Sequence, residues 1–292
     1  MTGAVAPDRV PVPTGPAPTR PVPTRPVLTL GPTLAFILVV AGLFTLGGVP
    51  LQRLLGDGGL FAAQVVLLLF PSLLFLRCGG FDPVRTLSLR LPTRRQVIGG
   101  AILFLGGAQL AWFLAWAQSL VLSVPLDYLQ AMATELRADS IGRFLWILFV
   151  AALIPAIVEE VIFRGIVLAG FRGSLSMGWA VLGSAVIFGA FHLSPQTAFR
   201  FLPTAWLGVL LGGIVAATGS LPLAMLLHGV NNALILAVMS APIMEERLGS
   251  SEQAPPLMLL PFSVALFWWG TRILRRERRS LRAGDGTSTE IS

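Results

Sequence analysis

Lysine is absent from this chain, cysteine and tyrosine occur once each, and histidine occurs twice. With Cys78 alone, an internal disulfide and any multi-cysteine metal site are excluded. Charge of either sign is scarce. Only 12% of residues are charged, against about 25% in soluble globular proteins. So little charge beside 54% hydrophobic residues excludes an ordinary soluble domain, and long apolar runs recur from end to end. The chain reads as an integral membrane protein. No charged-then-apolar signal segment opens it, since the start is proline-rich.

The net charge of +7 rests on 21 basic residues, every one an arginine. They gather in the flanks and connections between apolar runs, where anionic lipid and the positive-inside rule explain them without a nucleic-acid ligand. Residues 1–31 alternate Pro with Val, Thr, Ala and Arg, a composition that cannot pack a core and predicts a disordered or polyproline-like leader. Residues 32–274 form the membrane domain, and 275–292 a basic and then polar tail. Candidate spans near the ~20 residues a bilayer requires run over 33–50, 59–77, 97–124, 144–170, 176–194, 200–218, 221–241 and 257–274. No barrel-type alternation is present, so the expected fold is all-α, a polytopic bundle of about eight transmembrane helices.

That count puts Arg9, Arg20 and Arg25, then Arg85, Arg90, Arg94 and Arg95, then Arg272, Arg275, Arg276, Arg278, Arg279 and Arg282 on one side. Asp57, Asp127, Glu135, Asp139, Glu245, Glu246 and Glu252 fall on the other. Both termini are therefore expected to be cytoplasmic, in a bacterial inner (plasma) membrane. Gly208 and Gly212 form a small-xxx-small pair that lets helices approach. Gly106 and Gly107 interrupt the third span, and Pro155 should break or kink the fourth.

Within that fourth span stand two adjacent carboxylates, Glu159 and Glu160. An ionised side chain at membrane depth costs ~2.5–3.5 kcal/mol even on the lenient insertion scale. Arg164 follows Glu160 by four residues and shares its helix face, so those two can pair. Glu159 points elsewhere and has no intrahelical partner. Both histidines also lie in apolar spans. Phe188 and His192 share one face of the fifth, where the ring can wall and orient the imidazole. His228 and Asn232 share one face of the seventh. A carboxylate and an imidazole can hold a water and take its proton. A second imidazole and an amide N–H can donate to the oxyanion of a tetrahedral intermediate. Those parts suffice to hydrolyse a peptide bond.

Other hydrolytic designs are poorly served. No His-Glu-x-x-His is present, no aspartate lies in a span, and Ser174 and Ser184 lack a Gly-x-Ser-x-Gly setting. Two His and one Glu can ligate Zn²⁺, which keeps a metal as an alternative. In straight spans His192 comes late and His228 early in helices of one direction, so the two lie at different depths unless tilted or broken helices bring them together.

Glu-Glu-x-x-x-Arg, Phe-x-x-x-His and His-x-x-x-Asn, in that order over about residues 140–240, resemble the CPBP family of intramembrane endopeptidases. This is the family of the type II CAAX prenyl proteases, the Abi proteins and the lysostaphin-resistance-like proteins. The resemblance implies an eight-span bundle with its site in a membrane cavity, and a glutamic protease requiring no cofactor, though the family was once described as metal-dependent. It implies that Glu159 and His192 activate the water and that His228 and Asn232 form the oxyanion hole. Glu160, Arg164 and Phe188 would support them. The expected partners are a membrane protein or peptide as substrate and the lipid bilayer. A scaffold or bacteriocin-immunity-type protein acting by contact is the main alternative. A proton-coupled transporter would predict internal repeats, and the first half has no counterpart charged motif.

Overall fold

Each long apolar run folds as a helix, which satisfies its own backbone hydrogen bonds where water is absent. The computed structural model describes residues 26–240 and 255–287. In chain order the described helices are α1 (Leu30–Leu55), α2 (Asp57–Cys78), α3 (Pro83–Thr86), α4 (Arg94–Ser119), α5 (Leu126–Glu135), α6 (Ile141–Arg172), α7 (Met177–Phe191), α8 (Ala198–Thr218), α9 (Leu221–Met239) and α10 (Leu259–Thr287). The architecture is all-α. Among the described residues the one strand-type pairing is an isolated bridge between Leu89 and Ser220.

Six of these helices, α1, α2, α4, α6, α8 and α9, are long and apolar enough to cross a membrane. The chain is an integral membrane protein, and among the described residues six candidate spans stand where about eight were expected. α7 has 15 residues, because the chain turns at His192 instead of running on to 194. α10 continues to Thr287 and so takes Arg272, Arg275 and Arg276 into its length, making 275–287 an extension of the helix. At the other end, α1 begins at Leu30 and Leu28 is buried, so the packed chain starts inside the stretch expected to be a loose leader. Arg9, Arg20 and Arg25 and the acidic residues Glu245, Glu246 and Glu252 lie outside the described residues.

α6 is the central helix. It is α-helical over Ile141–Ile147, Ile154–Glu160 and Leu168–Arg172, with wider π turns at Leu148–Leu153 and Val161–Val167. Pro155 does not break it. The π turn immediately before Pro155 absorbs the clash and the missing N–H that a proline brings to a regular helix. All seven residues of Val161–Val167 are buried, so no face of that turn meets lipid.

α10 lies along α4, α7 against α8, and α9 against α6. Glycines set these distances. A Cβ on Gly208 would fall 2.8 Å from the Ala185 Cα, and one on Gly106 would fall 2.5 Å from the Ser263 carbonyl oxygen. Gly106 and Gly107 thus do not interrupt α4, which is continuous; Gly106 lets the α10 backbone approach, and Gly107 makes room for the Leu210 side chain of α8. Gly106→Val should force α4 from α10 and lower unfolding stability by about 1–3 kcal/mol. Thermal unfolding in detergent reads this directly, and an unchanged midpoint would mean the two backbones do not approach as described.

Candidate active site

The site grows from one buried carboxylate. Glu160 is completely buried in α6. Its Oε1 accepts from Arg164 Nη1 at 2.7 Å, the i,i+4 pair expected from spacing, and from His228 Nδ1 on α9 at 2.9 Å. The second bond was not legible in the sequence, and it changes the role of Glu160. The carboxylate both neutralises Arg164 and holds the His228 ring. Since a carboxylate only accepts, Nδ1 of His228 carries the hydrogen and Nε2 is turned to the other side. Arg164 also places its guanidinium 4.2 Å over the Phe188 ring. A desolvated contact of this kind contributes about 2 kcal/mol.

Phe188 is the hub between the imidazoles. Its ring centroid lies 4.7 Å from that of His192 and 6.0 Å from that of His228, both edge-on. The depth problem posed by straight spans is solved here. His192 caps the C-terminus of α7 and folds its ring back along the helix, so that Nδ1 donates to the Phe188 carbonyl at 2.8 Å. A carbonyl accepts only, so Nδ1 again carries the hydrogen and Nε2 faces inward. The turn beyond is fixed by Thr197 Oγ1 donating to the His192 carbonyl at 2.7 Å.

Glu159 lies between the two rings. Its Oε2 is 3.7 Å from His192 Nε2 and 3.9 Å from His228 Nε2. Both separations exceed a direct hydrogen bond and suit a bridging water. The Glu159 side chain is 12% exposed, against 0% for Glu160. The adjacent carboxylates are therefore unequal. One is locked by charged and polar partners, and the other has a free oxygen on a cavity wall. Asn232 donates a long 3.4 Å bond from Nδ2 to the Ala152 carbonyl, in the π turn before Pro155, which leaves its second N–H free.

The cavity has a volume of about 690 Å³ and is lined by Glu159, Phe188, His192, His228 and Asn232 together with Pro155 and mainly apolar groups. That is within the ~300–1,000 Å³ of ligand pockets. It also contains residues that motif reasoning did not select: Gln64, Asn231, Arg200 and Tyr128, the chain's one tyrosine. Arg200 sits on a short turn that Gln118 clamps from both sides, donating to the Ala198 carbonyl at 2.8 Å and accepting from the Leu202 N–H at 2.9 Å. The signal for Gln64 was available as a lone polar residue inside an apolar run. Two imidazoles and a carboxylate are the donor types that zinc takes. Among the described residues, however, no group of three or more His, Cys, Asp or Glu side chains is arranged to hold an ion.

A carboxylate, two imidazoles and an amide thus converge on one internal cavity of a helical membrane protein. Residues 141–234 match the family described as type II CAAX prenyl endopeptidase Rce1-like. The matched segment takes in α6 through most of α9 and with them every motif residue named above. No curated protein and no solved structure matches the chain. The family is one of intramembrane proteases, and a protein substrate is the class it implies.

The inequality of the two carboxylates can be measured. Glu160→Ala would leave Arg164 as an uncompensated buried cation and should destabilise the fold by about 3–5 kcal/mol. Glu159→Ala removes no hydrogen bond and should change stability by less than about 1 kcal/mol. Equal losses in the two variants would refute the division.

Proposed function

We propose that the protein is an intramembrane endopeptidase that hydrolyses a peptide bond of a membrane-associated protein or peptide, with Glu159 as the base. The observation that carries this reading is the position of Glu159 Oε2, on the cavity wall and one water's width from both imidazole Nε2 atoms. With Nδ1–H committed to the Phe188 carbonyl, a neutral His192 ring offers a lone pair at Nε2. A water between Glu159 and His192 then finds two acceptors, loses a proton to them and attacks the scissile carbonyl carbon. The carbonyl oxygen becomes an oxyanion, held by Asn232 Nδ2–H and by His228 Nε2–H. For Nε2 to donate, the His228 ring must carry both protons, and the Glu160 carboxylate on Nδ1 is the counter-ion for that cation. Collapse breaks the C–N bond, and the proton taken from water passes to the leaving amine.

The arginine distribution supports a membrane orientation with both termini cytoplasmic. The family description points to prenylated C-terminal CAAX sequences as the first substrates to try.

The test is cleavage by purified protein in detergent of internally quenched peptides, both S-farnesylated CAAX peptides and unmodified apolar ones. Glu159→Ala should lower kcat/KM by about 10²–10⁴. Asn232→Ala should cost about 10²–10³, mainly in kcat. Cleavage that survives Glu159→Ala overturns the mechanism. A chelator should leave wild-type cleavage unchanged, whereas loss on chelation with recovery on added Zn²⁺ would assign the water to a metal. Binding of the same peptides without any cleavage would favour the scaffold reading.

A further inference from the structure

Gln64 lies on α2, outside the segment that matches the protease family. It is the single polar residue of the run Phe61–Phe70, at a π turn (Ala63–Leu69) that packs on the α6 segment bearing Pro155 and Glu159. The side chain is 4% exposed and lines the same cavity as Glu159 and Asn232. Its Oε1 is buried without a donor, and among the described residues the amide makes no hydrogen bond. The two other buried polar atoms in that condition, Glu160 Oε2 and Arg164 Nη2, belong to groups already bonded through their other atoms.

An amide left unpaired in an apolar wall is less favourable than a leucine of similar size. The helix therefore keeps a polar group that no other described residue uses. A glutamine amide offers an acceptor and two donors, the complement of a peptide group. It turns about its terminal torsion with weak preference, so either end can be presented to the cavity. The amides of Asn231 and Asn232 line the same cavity. A polypeptide main chain in this mainly apolar cavity would meet these amides as hydrogen-bonding partners.

We infer that Gln64 binds the main chain of the peptide substrate in the cavity, so that α2 completes a site whose reacting groups all come from α6, α7 and α9. This rests on the endopeptidase reading above. It names a substrate-binding group that the three motifs do not include, and it gives the N-terminal helices a part in recognition.

The test pairs a variant with an altered ligand. A quenched peptide cut by the wild type is compared with analogues N-methylated at one backbone nitrogen at a time, using wild type and Gln64→Leu. Gln64→Leu should cleave the parent peptide about tenfold less efficiently, chiefly through KM. One N-methyl analogue should be cut about tenfold less well than the parent by wild type and no worse than the parent by Gln64→Leu. Because the substitution removes an unpaired buried amide, the midpoint of thermal unfolding should hold or rise by about 2–4 °C. A fallen midpoint with unchanged KM would make Gln64 a packing residue and overturn the inference, as would identical N-methyl profiles for the two proteins. If Gln64→Leu does not fold, Gln64→Met takes its place under the same criteria. A wild type that cuts no peptide overturns the endopeptidase reading and this inference with it, whereas cleavage that Gln64→Leu matches throughout overturns this inference alone.

Discussion

A carboxylate with no exposure survives in an apolar bundle only if protein groups replace the water it has lost, and Glu160 has two such groups on one oxygen. Arg164 donates from the next turn of the same helix, and His228 donates from a helix 68 positions away in sequence. The first bond keeps a buried cation neutralised, and the second sets which nitrogen of His228 faces the cavity. Phe188 then packs on all the pieces at once, lying under the Arg164 guanidinium and edge-on to both imidazoles. Removing Glu160 would free His228 to turn and leave Arg164 uncompensated, so the proposed oxyanion donor and the stability of α6 depend on the same atom.

The backbone of α6 serves this arrangement through its two π turns. Wider turns offset carbonyls from their usual helical partners, and side chains of other helices bond them instead. The Phe163 carbonyl accepts from Ser184 Oγ at 2.7 Å, and the Ala152 carbonyl accepts from Asn232. Those two bonds tie α7 and α9 to α6, the three helices that supply the proposed reacting groups. Pro155 fits because the turn before it is already open. A proline that looks like a helix breaker in one dimension is here part of a through-going central helix.

Much of this was legible from residue order. Apolar runs marked the helices, since a bilayer leaves few structural choices. Glu160 with Arg164, Phe188 with His192 and His228 with Asn232 followed from four-residue spacing alone. The end of the fifth expected span did not. Hydropathy shows where a helix is apolar, whereas the end of α7 at His192 is set by a capping turn and by a ring folded back on its own helix. Gln64 was overlooked because a single amide in a leucine-rich run carries no motif. Its surroundings become informative only when α2 is seen against α6.

The sequence by itself determined an integral membrane helical protein whose few polar residues within the spans fall into three short motifs. Composition and 3.6-residue periodicity are local properties, and they suffice for that. Tertiary structure alone decided which of the two glutamates is free. Periodicity separated them by face but could not show that Glu160 is held from two sides, or that Glu159 opens on a cavity between two Nε2 atoms. Those facts depend on how α7 and α9 cross α6 and on the depth at which they do so. Helix crossing is governed by packing between distant segments, through Gly208 against Ala185 and Ser184 against Phe163, and no window of the sequence contains it.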